Sequence, residues 1–222
     1  MGSQLFTYPN LILLFEGALV TIGLSLIGFV GGTLIGVIMV ALRSVPGALG
    51  WPAKLLSIVY VDTLRRVPLL VILLFGFFGI SLFGFEVSAL SAAAFGVVAF
   101  AGAYMAENIR GGLEAIRKQQ WEAGAALGLT GYQQLRIVVL PQALRVIIPP
   151  SVGFFVGLIK DTSVATIVGF VELTHAGVII RYRIGESFTV FAAIMALYFL
   201  MCYPVARIGQ HLERRLHARA RA

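Results

Sequence analysis

An all-α protein crossing a membrane five times is the fold this sequence predicts, and three observations predict it. The 222 residues are 59% apolar and only 12% charged, with a mean hydropathy of +0.94. A soluble domain is nearer half apolar and a quarter charged. The apolar residues gather into runs of bilayer length, about 20 residues for ~30 Å of hydrocarbon. The basic residues mostly flank those runs, which is how orientation is written into membrane sequences.

The elements follow in chain order as one domain over residues 1–222. Leu11 to Leu42 is the first span, with Glu16 its only charge. No Lys or Arg precedes it and it is much longer than a signal-peptide core, so it is expected to be retained as a helix. Leu55 to Leu82 is the second span, interrupted by Asp62, Arg65 and Arg66. Val87 to Ala106 is the third. A fourth, shorter span covers about 144–160 and contains Pro149 and Pro150, which mark it as a broken helix. Ser187 to Ala206 is the fifth. Thr162 to Ala176 is too short to cross and is expected as a short helix on the outer side. Gly32 and Gly36 form a small-xxx-small pair, suited to close helix approach and to association with another subunit.

Charge then orients the chain. The first loop holds Arg43 and Lys54. The stretch from Glu107 to Arg145 holds Arg110, Arg117, Lys118, Arg136 and Arg145. The tail holds Arg207, Arg214, Arg215, Arg219 and Arg221. The positive-inside rule places all three in the cytoplasm. Arg181 and Arg183, between spans four and five, are a mild exception. Five spans then require an N-terminus outside and a C-terminus inside. The net charge of +7 is thereby explained by membrane orientation before nucleic acid is invoked. Cys202 is the single cysteine, so neither a disulfide framework nor a Cys/His metal site is available.

The loop at about 119–141 carries the strongest pattern. Glu122 to Leu127 is a short helical stretch, Gly128 interrupts it, Thr130 can cap a second helix, and Pro141 is expected to end that helix. Two short helices about a glycine bend, between two spans, suit contact with a soluble partner. The segment resembles the EAA loop of ABC importer permeases: Glu-Ala-Ala, three residues, Gly, nine residues, then Ile-x-Leu-Pro. Glu122, Ala123, Gly128, Leu140 and Pro141 stand at matching positions, while Gly124 replaces an alanine and Val138 an isoleucine. Other stretches resemble the polar amino-acid branch of that family (the histidine, glutamine, glutamate and arginine type). They are Arg65 to Val71, Tyr104 to Gly112, Ile159 to Ser163 and Val168 to Thr174.

That resemblance implies a type I importer permease fold and a coupling helix docked on a separate ATP-hydrolysing subunit. It implies a second permease, either a copy or a paralogue, an extracytoplasmic solute-binding protein, an amino-acid substrate and a bacterial inner-membrane location. The chain has no phosphate-binding glycine loop with Lys-Ser/Thr. ATP and magnesium therefore belong to the partner, this chain is not an enzyme, and it is expected to bind no cofactor of its own. An ion-coupled secondary transporter would show matched repeats around broken helices. A membrane enzyme would need an acid pair, a His cluster or an activated nucleophile in its spans. Neither pattern is present.

Charges within the spans each need a partner or a task, because insertion scales put their cost at about 2.5–3.5 kcal/mol. Asp62 and Arg65 share a helix face, as do Glu107 and Arg110. Lys160 and Asp161 are adjacent and do not face each other. Lys160, Asp161, Thr162 and Ser163, with Glu107 and Arg65, are the substrate-path candidates, since an amino acid presents both charge signs. The competing reading is that they lock helix packing or snorkel to the interface. His175 is expected to be an ordinary surface histidine.

Overall fold

A computed structural model describes Leu5, residues 7–47 and residues 50–218, and among these every regular element is helical. Four stretches are long and apolar enough to cross a membrane: Tyr8–Arg43, Ala89–Glu114, Gly131–Val168 and Ser187–Leu216. The first is α1 (Tyr8–Arg43), started by Pro9 in its first turn. Proline suits that position because the N–H it lacks would have no helical partner there.

The expected second span is not one helix. It is α2 (Gly50–Arg66), a break at Val67 and Pro68, α3 (Leu69–Leu74), and a π-helical turn over Phe75–Gly79. Pro68 is extended (φ −60, ψ 143), and proline also pushes the residue before it out of the α region. Four long apolar helices thus stand where five spans were expected, and the expected second span is this broken path.

α4 (Ala89–Glu114) begins at Ser88, whose hydroxyl accepts a bond from the Ser91 N–H. It runs well past Ala106, so Glu107 and Arg110 lie on a helix and not in the following loop. α5 (Lys118–Ala126) and the single turn α6 (Gly131–Gln133) form the loop region.

Pro141 does not end the second loop helix, contrary to expectation. A π-helical turn, Gln134–Val139, joins α6 to α7 (Leu140–Asp161), and the path stays helical through a 3-10 segment, Thr162–Val168. In the π turn the Leu140 N–H reaches back to the Leu135 carbonyl. This wider winding accommodates a proline whose ring would crowd the preceding α-helical turn. Pro149 and Pro150 also lie inside α7 without ending it. Beside them the Ile147 carbonyl accepts from Asn108 Nδ2 (3.3 Å) and Ser151 Oγ (2.7 Å). Side-chain donors of this kind support backbone around prolines in membrane helices.

The outer helix expected over 162–176 is two pieces. The 3-10 segment ends at Gly169 in the left-handed region (φ +78), and α8 (Leu173–Ile184) follows after a short turn. α9 (Ser187–Ala218) closes the chain. It carries Arg207, Arg214 and Arg215, whereas Arg219 and Arg221 lie outside the described residues.

α1 and α4 make the most extensive contact in the molecule and run parallel. Gly28 faces Val97, Gly32 faces Ala101, and Gly36 faces Met105 and Ala106. The Gly32/Gly36 pair therefore serves packing within the chain, not association with another subunit as expected. Two apolar cores result. One joins Leu24, Leu69, Leu73, Val97, Phe100, Leu158 and Val168; the other joins Leu14, Leu173, Ile180, Val190 and Ile194 at the end away from the loop.

Candidate functional site

The loop between α4 and α7 has a definite shape. α5 ends in paired backbone bonds, Gly128 N–H to the Ala125 carbonyl (2.9 Å) and Leu129 N–H to the Gly124 carbonyl (3.1 Å). This is a Schellman ending, which needs a left-handed residue just past the helix. Gly128 supplies it at φ +75. Thr130 then opens the next turn with a reciprocal capping box: its hydroxyl accepts from Gln133 N–H, and Gln133 Oε1 accepts from Thr130 N–H (2.8 Å). One helix is thus stopped and the next started within three residues, fixing the angle between them.

Local contacts hold the loop against its own stem. Gly124 is buried against the Gln134 side chain, so the alanine usual at this motif position would meet Gln134 Cγ at 3.0 Å. Gln134 Nε2 donates to the Leu129 carbonyl (2.8 Å), and Gln142 on α7 donates to Gln120 on α5 (3.2 Å). Glu122 is exposed and pairs with Lys118 at 3.1 Å. Ala123, Leu127 and Gly128 face outward with it, and Leu127, Tyr132 and Ile137 are 80%, 68% and 63% exposed. Leu140 and Pro141 stand apart from this face, at the base of α7. The motif thus divides into an exposed head and a helical stem.

A second cluster forms where α2 breaks. Arg65 Nη1 lies 3.5 Å from Glu107 Oε1, and Arg110 Nε donates to Glu107 Oε2 at 2.9 Å. Arg110 also pairs with Glu114. Asp62 pairs with Arg66 (3.6 Å) and not with Arg65, which turns to α4 instead. The Tyr104 phenol donates to the Arg65 carbonyl (3.4 Å), and its ring lies beneath the guanidinium, 5.6 Å from centroid to Cζ. Phe154 of α7 stacks on Tyr104 at 5.3 Å. Asn108 Nδ2 donates to Ser151 Oγ at 2.8 Å. Together Arg65, Tyr104, Met105, Glu107, Asn108, Pro150 and Phe154 line a cleft of about 260 Å³. It offers a carboxylate, a guanidinium, an amide and an aromatic wall, a set able to hold a small zwitterion.

The remaining path candidates lie elsewhere. Lys160 is exposed and Asp161 half-buried at the end of α7, and neither has an ion-pair partner among the described residues. Thr162 is buried with its hydroxyl bonded to the Ile159 carbonyl (2.8 Å), and Ser163 is half-buried. None of the four lines the cleft. His175 is half-buried with Nδ1 3.0 Å from Thr166 Oγ1, not a free surface histidine. The sequence marks Tyr104 only as the start of the Tyr104 to Gly112 resemblance and not as a path candidate, and it does not single out Asn108 or Phe154. An asparagine directly after a span glutamate was the available signal for Asn108. Phe154 gave none, because aromatic residues are common in every span.

The fold and these two features define a multi-pass membrane protein with an exposed, sharply turned loop at one end and a polar cleft within the bundle. Residues 28–218 match the family described as "Binding-protein-dependent transport system inner membrane component", and the chain belongs to that family. It is similar to YckA of Bacillus subtilis, a "Probable amino-acid ABC transporter permease protein", at 35% identity over 88% of this chain and 85% of the relative. It is similar to the Escherichia coli glutamine transport system permease protein GlnP at 32% identity, covering 94% and 95%. Among solved structures, "an amino acid ABC transporter with histidines" superimposes with a TM-score of 0.86 at 30% identity, covering 91% of this chain and 94% of that one. An inward-facing MetNI methionine ABC transporter shares the fold, with a TM-score of 0.79 at 24% identity.

Proposed function

We propose that this chain is the permease subunit of an ATP-driven importer, and that it carries an amino acid inward past the Arg65–Glu107 cleft. The exposed, rigidly turned head at 118–133, continuous through its π turn with α7, is the observation that carries the reading. A loop that only connected two spans would need neither an outward apolar tip nor a helical stem. The amino-acid transport named for its relatives supports the substrate class.

In this reading the loop end faces the cytoplasm and the N-terminus faces outside. Arg43, Arg117, Arg136, Arg145 and Arg214 gather towards the loop end, in keeping with the positive-inside rule. Leu127, Tyr132 and Ile137 seat the head on an ATPase subunit, which handles ATP and magnesium. A second permease, copy or paralogue, completes the membrane unit, and a solute-binding protein delivers substrate from outside. Closure of the ATPases moves the head, and α7 carries that motion into the bundle as a rigid body.

Within the cleft, Arg65 receives the substrate carboxylate and Glu107 its ammonium, each charge being stronger in a partly dry site than in water. Lys160, Asp161, Thr162 and Ser163 form a second station where α7 passes into the 3-10 segment, with both charge signs side by side.

The test is recovery of partners from native membranes with tagged protein in mild detergent, comparing wild type with Leu127→Asp. Leu127 lies on the exposed tip, so the variant is expected to insert normally. Wild type should bring down an ATP-hydrolysing subunit and the variant should lose it. Wild type that brings down no ATPase, yet moves solute when reconstituted alone, would sink the reading.

A further inference from the structure

The most completely bonded buried carboxylate among the described residues is in neither site above. Glu172 is fully buried between the two apolar cores, in the turn that joins the 3-10 segment to α8. Its Oε1 accepts from His175 N–H (2.9 Å). Its Oε2 accepts from Thr174 N–H (2.8 Å) and from the Tyr198 phenol of α9 (3.0 Å). Thr174 Oγ1 lies 3.0 Å from the same phenol. One residue on, Leu173 N–H donates to Thr21 Oγ1 of α1 (3.1 Å). A helix start thus draws α1, α8 and α9 together through one side chain and its neighbour.

Capping alone does not account for this. A Ser or Asp would cap α8 without being shared with another helix. Glu172 has the reach to satisfy two backbone donors and still bond a phenol on α9. The far end of α8 is also fastened, by Arg183 Nη1 to Asn10 Oδ1 at 2.8 Å. The first half of α1, α8 and the first half of α9 therefore form one body around Leu14, Leu173, Ile180, Val190 and Ile194.

The lower half of α9 belongs to the other body. Gly209 faces Val152, and the Cys202 thiol lies against the Val156 carbonyl, both on α7. A route exists from the loop head through α7 to α9, and from Tyr198 through Glu172 to α8. The direct route from α7 to α8 passes Gly169, whose left-handed backbone has no neighbour within 4 Å of a would-be Cβ. The Thr166–His175 contact also ties the 3-10 segment to α8, and the Glu172–Tyr198 bond adds a side-chain link by which α9 passes a pull on to the start of α8.

We propose that Glu172 is a positioning residue for transport, clasping α8 to α9 so that movement of the loop head is delivered to the outer end of the path. The proposal rests on the importer reading. Glu172 touches no substrate. Its loss disconnects the stroke from its load and leaves binding and ATP hydrolysis in place.

The experiment uses the complete transporter, with its ATPase subunits and binding protein, in proteoliposomes. Glu172→Gln keeps one oxygen for the α8 cap but weakens the phenol bond. Tyr198→Phe keeps the ring and removes only the donor. Each variant should assemble in wild-type yield and hydrolyse ATP within twofold of wild type. Maximal solute uptake should fall fivefold or more at an unchanged half-saturating concentration, and the double variant should fall no further than the worse single one. Uptake per ATP equal to wild type in both variants overturns the clasp, as does a loss that simply tracks the amount of assembled complex. Wild type that shows no ATP-dependent uptake overturns the importer reading itself, and the clasp with it.

Discussion

Glu107 answers to two guanidiniums, Arg65 and Arg110, and this shared carboxylate keeps the cleft from being a bare positive patch. Replacing it with glutamine leaves both arginines facing an amide. Removing one member of a buried charge pair costs about 3–5 kcal/mol in a dry interior. Glu107 keeps about a quarter of its side-chain surface, so the cost here lies below that range. Glu107→Gln is therefore expected to yield folded, ATPase-competent complex whose solute uptake falls tenfold or more; proteoliposome uptake reads this, and wild-type uptake would remove Glu107 from the path. Much of the cleft's chemistry was legible beforehand, because a charge inside an apolar run is conspicuous and must be accounted for. Its pairing was legible only in part. Spacing on α2 put Asp62 with Arg65, whereas Asp62 pairs with Arg66 and Arg65 swings to Glu107 on α4. Glu172 escaped notice for the opposite reason: among Val168 to Thr174 it reads as a polar residue at a loop, and its surroundings are completed by two helices distant in sequence, α1 and α9.

Helices and turns were predicted best where local rules act alone. The Gly128 bend and the Thr130 cap follow from glycine's access to positive φ and from a Thr-x-x-Gln box, and both are found. The prolines were misjudged because their usual effect can be absorbed by neighbours. The π turn before Pro141, and Asn108 and Ser151 beside Pro149 and Pro150, keep one helical path from the loop into the bundle. The Gly124 contact with Gln134 gives a prediction at this scale. Gly124→Leu would place a branched side chain where Gln134 now lies, and overpacking of this kind costs about 1–3 kcal/mol. α5 is expected to swing away from its stem, and ATPase-subunit recovery from detergent should drop several-fold at unchanged membrane insertion. Gly124→Ala should be tolerated, since a shift of a few tenths of an ångström in the Gln134 side chain admits it; the same recovery assay compares the two.

At the scale of the whole molecule, the parallel seam of α1 on α4 sets the frame on which both sites sit. Gly32 and Gly36 let the two backbones approach, because small residues replace the hydrophobic drive that lipid does not provide. Gly36→Val would force its methyls against the α4 backbone at Met105 and Ala106, one residue from Glu107, so the damage should reach the cleft as well as the fold. A loss of roughly 1–3 kcal/mol is expected. It would be measured as a lower melting temperature of the detergent-solubilised chain, and an unchanged melting temperature would show that the seam yields. The all-helical class was written in apolar length, but the break in the second expected span and the division into two cores were not, since they depend on the turn at Pro68 and on which helices meet. The seam also bears on how the protein is made. α1 is synthesised first, whereas the helix it fits appears only after the whole broken crossing of α2 and α3 has followed it. Its glycine stripe must therefore wait against lipid or the insertion machinery, and the nascent chain cannot acquire its lasting shape until α4 has emerged from the ribosome.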